Sequence, residues 1–145
     1  MTDASAAYAI TTLISCLHMT ALWFGSGAAR TLSKTTPNPE DARTMVKDAA
    51  VVGADPPAVA RVLRVHTNTF ANTVPFLLLA QAYVAAGAEA TAAWAIFGVF
   101  TAARVLYSIV YLRGLQPWRS IAYAAGLLAT LALMVHLAAL TLARA

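Results

Sequence analysis

Hydrophobic and polar positions segregate along this chain over whole segments rather than residue by residue. Apolar runs rich in Ala and Leu cover roughly residues 8–29, 57–86, 91–112 and 118–142, with a polar stretch over 31–56 and two short turns between them. A helix that spans a bilayer needs about 20 mostly apolar residues, and only helices or closed barrels satisfy their backbone polar groups away from water. Barrel strands would alternate over about ten residues, whereas these runs are continuous. The pattern predicts an all-α membrane protein: one domain over residues 1–145, folded as an antiparallel bundle of four transmembrane helices. No Lys or Arg precedes the first run, so it reads as a retained span rather than a cleaved leader. Inside the polar stretch, Asn38-Pro39-Glu40-Asp41 carries helix-start chemistry: a capping side chain, Pro at the first position and acids in the first turn. It predicts a short helix from Pro39 to Ala50. Pro75 lies within the second span, where a proline kinks the helix and frees a carbonyl.

Composition strengthens this reading. Hydrophobic residues make up 60% of the chain and charged residues 11%, against about 25% charge in soluble domains. So few polar side chains cannot coat a water-facing globule, so membrane lipid is the expected outer solvent. The net charge of +4 does not point to nucleic acid, because position explains the cations. The ten Lys and Arg are at 30, 34, 43, 47, 61, 64, 104, 113, 119 and 144. All but Arg144 lie in the first loop, the third loop or the helix ends beside them. The positive-inside rule then places loops one and three in the cytoplasm and both termini outside. The Ala-rich composition suggests a bacterial inner membrane, with endoplasmic reticulum the counterpart in a eukaryote. The single cysteine, Cys16, excludes an internal disulfide framework and reads as a small apolar residue. His18, His66 and His136 lack ligand-like spacing, so no metal site is expected.

Polar residues inside the spans form stripes. On the second span Arg61, Arg64, Asn68, Asn72 and Pro75 follow at intervals of 3, 4, 4 and 3, which puts them on one helix face. The third carries Arg104, Tyr107, Ser108 and Tyr111 on one face, the fourth Arg119, Tyr123, Gly126 and Thr130, and Arg30 ends the first. An Arg at a helix centre costs about 2.5–3.5 kcal/mol on insertion scales and usually faces an interior or a cavity. No acid lies within the spans to pair with Arg104; the nearest are Glu40, Asp41, Asp48 and Asp55 in the first loop. Each Arg can also snorkel to the interface or pair with a loop acid. Several guanidinium groups sharing one hollow without carboxylates would call for an anionic ligand near the cytoplasmic leaflet.

These residues resemble a known family. Arg64-Val-His66-Thr-Asn68 with Asn72 and Pro75-Phe76 is similar to the second-span motif of the membrane-associated proteins in eicosanoid and glutathione metabolism, the MAPEG family. Arg104-Val-Leu-Tyr107-Ser-Ile-Val-Tyr111-Leu resembles its third-span motif, and Pro117-Trp-Arg119-Ser120-Ile-Ala-Tyr123 the start of its fourth. Asn38-Pro39-Glu40-Asp41 resembles the first loop of its prostaglandin E synthase branch. The nearest branch looks like the microsomal prostaglandin E synthase and microsomal glutathione transferase group. The resemblance implies a homotrimer with glutathione held between subunits near the cytoplasmic side. By position, Arg30, Arg64, Asn68, Tyr107, Tyr111, Arg119, Ser120 and Tyr123 would line the glutathione site. Arg119 and Ser120 would be the catalytic pair that activates the thiol. The implied activity is transferase or peroxidase chemistry on a lipophilic small-molecule electrophile. Two positions depart from the family: Ala71 stands where the second span usually has Glu, and Thr67 where the prostaglandin branch has a basic residue. Other function classes are a non-enzymatic scaffold that binds lipid or fatty acid, and a small transporter or assembly subunit.

Overall fold

A computed structural model describes residues 3–144. Helix α1 spans Ala4–Ser33, starting before Tyr8 and running past Ala29. Its start is set by Asp3, whose carboxylate accepts from the backbone N–H of Ala6 at 2.8 Å. Its end is set by Lys34, which takes a left-handed conformation with φ 47° and donates its N–H back to the helix. Three further long helices follow: α3, Pro57–Ala85; α4, Ala90–Leu112; and α5, Trp118–Leu142.

The first loop departs from expectation. Helix α2 covers only Pro39–Thr44 and stops well short of Ala50. Asp48 turns left-handed at φ 64°, and the chain then pairs with itself. Strands β1 (Thr35–Thr36) and β2 (Ala50–Val51) form a parallel ladder that the apolar pattern did not foreshadow. Two-residue strands leave no alternation to read. The Asn38 side chain makes no cap bond; its amide donates to Asp41 Oδ2 at 2.9 Å.

Helix α4 packs against all three other long helices, most extensively against α5, while α1 packs on α3 and α4. The bundle interior divides along its length. One half is apolar: Phe76 and Phe100 stack with ring centroids 3.6 Å apart, Phe97 meets Phe76 edge-on, and Ala7, Ala80, Ala93 and Leu133 fill the gaps. Small residues let the helices approach closely, as bilayer packing requires. The other half, toward the first loop and the α4–α5 turn, is polar and holds the site described below. The outer faces expose Leu13, Leu17, Phe24, Leu78, Leu128 and Val135. A continuous apolar exterior around a partly polar interior reverses the arrangement of a soluble bundle.

Among the described residues, α1, α4 and α5 are long and apolar enough to cross a membrane. Helix α3 has 29 residues, about 43 Å at 1.5 Å per residue, but falls outside that set. Arg61, Arg64, His66 and Asn68 crowd its first half.

The α3–α4 turn contains Gly87 at φ 77°, and Glu89 then caps α4 by accepting from the N–H groups of Thr91 and Ala92 at 2.8 and 2.7 Å. Those bonds hold its carboxyl below the usual range. A depressed carboxyl contributes stability above its unfolded pKa and loses it as pH falls through the folded value. Glu89→Ala is expected to lower the melting temperature slightly at neutral pH. The difference from wild type should close in acid, as a pH series of melting curves would record.

Candidate functional site

The polar half is built around Arg104. It is 2% exposed although no carboxylate among the described residues touches it. Nη1 donates to Asn68 Oδ1 and Nη2 to the Tyr123 carbonyl, both at 3.3 Å. Its guanidinium carbon lies 4.9 Å from the Tyr107 ring centroid and 5.3 Å from that of Tyr123, so aromatic faces take the place of a counter-ion. Nε has no hydrogen-bond partner among the described residues. Gly126 makes the room: a Cβ there would lie 2.8 Å from both Nε and Nη2. Behind Arg104, Ser108 Oγ donates to the Arg104 carbonyl at 3.2 Å and meets Thr69 at 3.3 Å and His18 Nε2 at 2.9 Å. Asn72 instead donates within its own helix, to the Asn68 carbonyl.

In front of Arg104 lies a cavity of about 340 Å³ lined by Asn68, Tyr107, Tyr111, Arg119, Ser120 and Tyr123. Its size falls in the range of small-molecule sites. Residues from α3, α4 and α5 converge here because their polar stripes face one another. The Tyr107 ring stands 5.5 Å from Tyr111 and 6.1 Å from Tyr123. The guanidinium of Arg119 lies over Tyr111 at 5.0 Å, and Arg64 Nε donates to the Tyr111 hydroxyl at 3.3 Å. Among the described residues the lining contains no carboxylate. One side is open: Tyr123 is 37% exposed, and Arg64 and Ser120 are exposed as well.

Of the eight positions expected to line a ligand site, Asn68, Tyr107, Tyr111, Arg119, Ser120 and Tyr123 share this cavity, and Arg64 touches it through Tyr111. Arg30 does not. It pairs with Asp55, with Nη2–Oδ1 at 3.0 Å and further bonds from Nε and to Oδ2. It lines a different hollow of about 430 Å³ between the end of α1 and the first loop, beside Trp23, Phe24 and Met45. Its charge is thus matched within the chain, as the loop-acid alternative supposed for any single Arg.

One residue of the site escaped sequence reading. Gln116, in the α4–α5 turn, has its amide satisfied at both ends when the oxygen faces Arg119. The oxygen then accepts from Nε at 3.1 Å and Nη2 at 2.6 Å, and the amide nitrogen donates to Ser120 Oγ at 3.3 Å. The available signal was its spacing, three and four residues before Arg119 and Ser120.

The sequence profile of the MAPEG family matches residues 8–139. The chain belongs to the MAPEG family. Its relatives include mouse (Mus musculus) microsomal glutathione S-transferase 1, 33% identical over 132 residues, covering 87% of this chain and 85% of that one. The bovine (Bos taurus) microsomal glutathione S-transferase 1 is 32% identical over 134 residues, covering 90% and 86%. Human (Homo sapiens) prostaglandin E synthase is 35% identical over 99 residues, covering 68% of this chain and 64% of that protein. Together with the three apolar helices, membership makes this MAPEG protein an integral membrane protein.

Proposed function

We propose that this MAPEG protein is a membrane-bound, glutathione-dependent transferase that acts on hydrophobic electrophiles through an activated thiolate. The observation that carries the reading is the cavity lined by Arg119, Ser120 and three tyrosines, with Arg104 buried behind it and no carboxylate in its walls. Such a hollow attracts a ligand richer in carboxylates than in ammonium groups, as glutathione is. Two of the relatives carry glutathione transferase in their names, which supports the same cosubstrate.

A free thiol with pKa near 8.5 is only a few per cent ionised at neutral pH. Arg119 stabilises the thiolate by charge, and Ser120 donates a hydrogen bond to the sulfur. The thiol proton leaves to water. The sulfur lone pair then forms a carbon–sulfur bond with the electrophile, whose leaving group departs with its bonding pair. With a lipid hydroperoxide, the thiolate attacks the outer oxygen, and a second glutathione completes the disulfide, giving an alcohol and water. That is the peroxidase form of the same chemistry.

In this reading all four long helices cross the bilayer, with α3 carried by its partners because its polar face is turned inward. Both termini lie outside and the cavity opens near the cytoplasmic leaflet. The open side is closed by a neighbouring subunit of a homotrimer, and Arg30, held by Asp55, borders that completed site rather than the cavity of its own chain. The electrophile enters laterally from lipid.

Ala71 supplies the quantitative test. The family Glu at this position would receive the ligand's ammonium end, and a charge-assisted hydrogen bond is worth about 1.5–3 kcal/mol. In calorimetric titration of the detergent-solubilised protein, Ala71→Glu is expected to bind glutathione about tenfold or more tightly than wild type. Weaker or equal binding would argue against this placement of the ligand. The same alanine favours a second reading, a non-enzymatic scaffold that binds lipid or fatty acid; that protein would show no saturable glutathione binding in either form.

A further inference from the structure

We infer that Gln116 is a positioning residue that orders the Arg119–Ser120 pair, so that both direct hydrogen-bond donors at one sulfur atom. The inference rests on the glutathione reading above and adds a residue to it.

A serine hydroxyl has one proton to give, and Ser120 has two uses for it. If it donated to Gln116, the 3.3 Å contact would consume that proton, and the hydroxyl would offer a ligand only lone pairs. An anionic sulfur would be repelled. Arg119 decides between the two. A guanidinium has only donors, so the amide atom facing its Nε and Nη2 must be oxygen. That orients the amide and turns its NH2 toward Ser120, which becomes the acceptor. The hydroxyl proton is thereby released for the cavity. The same contact holds Arg119 along its Nε–Nη2 edge while Tyr111 covers one face. Nη1, with no hydrogen-bond partner among the described residues, stays available. A neutral amide is required. It accepts from Arg119 without cancelling its charge, and it donates to Ser120 as a carboxylate cannot.

The surrounding charges leave the effect readable. Tyr107 and Tyr111 from α4 and Arg119 and Tyr123 from α5 line the cavity, Arg64 from α3 reaches it through Tyr111, Arg104 lies behind Tyr107 and Tyr123, and His18 of α1 is engaged by Ser108. No acid among them would mask the change introduced by Gln116→Glu. That substitution keeps the shape, but its carboxylate neutralises Arg119 and draws the Ser120 proton to itself. Gln116→Ala removes both contacts without adding charge.

The test is the pH titration of thiolate absorbance for glutathione bound to full-length wild type, Gln116→Glu and Gln116→Ala in detergent, with steady-state conjugation of a lipophilic aryl halide alongside. Wild type is expected to ionise the thiol well below its free value. Gln116→Glu should raise that apparent pKa by about one unit or more, with a roughly tenfold fall in kcat at neutral pH and a smaller change in KM for glutathione. Gln116→Ala should fall between them. Identical thiol pKa values in all three proteins would overturn the inference, whether or not melting temperature falls, since Gln116 would then only hold the turn. If wild type itself forms no thiolate, the glutathione reading fails and takes the inference with it; a wild-type thiolate with unshifted variants sinks the inference alone.

Discussion

Arg119→Ala is expected to abolish most of the conjugation activity, by about a hundredfold or more in kcat, with little change in the folded structure. The magnitude follows from what the guanidinium does under the proposed mechanism. Removing one preorganised donor aimed at developing negative charge typically costs about 10²–10³ in rate. Here the donor also carries the full positive charge nearest Ser120. Folding should be spared, because Arg119 is half-buried at the start of α5 and its partners are an exposed turn residue and one tyrosine face. Thiolate absorbance at neutral pH should fall in parallel with kcat. If the variant keeps wild-type thiolate and wild-type rate, Arg119 has no part in the chemistry. Arg119→Lys should recover only part of the loss, since an ammonium cannot match the two-point contact with Gln116 and the stacking on Tyr111 together.

Arg104→Met tests the buried cation behind the cavity. Three stabilising or destabilising effects must be weighed. Placing an Arg at a span centre costs about 2.5–3.5 kcal/mol on insertion scales. Against this stand two hydrogen bonds at the long distance of 3.3 Å, each worth about 1 kcal/mol or less, and cation–π contacts with Tyr107 and Tyr123, worth roughly 0.5–2 kcal/mol each. These terms nearly cancel, so the melting temperature is expected to move by only a few degrees in either direction. Anion binding should not be spared. Removing a unit positive charge from behind a cavity walled by no carboxylate weakens its attraction for an anion, so glutathione affinity should fall about tenfold, equivalent to about 1.4 kcal/mol. A variant that unfolds would mean that the aromatic cage needs its cation; a variant that folds and binds as wild type would mean that Arg104 is purely structural.

Both substitutions act on groups whose importance is set by the absence of carboxylates around them. That absence could be read in the sequence. The long helices contain no acid, while the stripes of α3, α4 and α5 each contain Arg and an amide or phenol at helical spacing. Periodicity assigns a residue to a face, and a burial cost this large tells which way the face must turn. The convergence of Asn68, Tyr107, Tyr111, Arg119, Ser120 and Tyr123 on one cavity is therefore a packing consequence of the pattern.

What the pattern could not supply was pairing between elements of different register. Whether Arg30 meets a ligand or an acid depends on where the first loop lies after it leaves α1. The loop carries four acids, any of which could have reached a guanidinium, and only the folded path brings Asp55 to Arg30. The parallel pairing of Thr35–Thr36 with Ala50–Val51 belongs to the same class, since ladder bonds use backbone groups that carry no residue signature. Gln116 was hidden for a third reason. An amide reads as neither charge nor apolar surface, and its role depends on which of its two ends faces Arg119.

The long helices, the apolar exterior and the inward turn of the polar stripes were thus determined by sequence alone, because 3.6-residue periodicity and the cost of burying a bare charge in apolar surroundings act locally on each helix. Tertiary structure alone decided that Gly126 leaves space for Arg104, that Asp55 matches Arg30, and that Gln116 joins Arg119 to Ser120. Each of these depends on distances of a few ångströms between side chains or segments whose relative placement no single-helix pattern encodes.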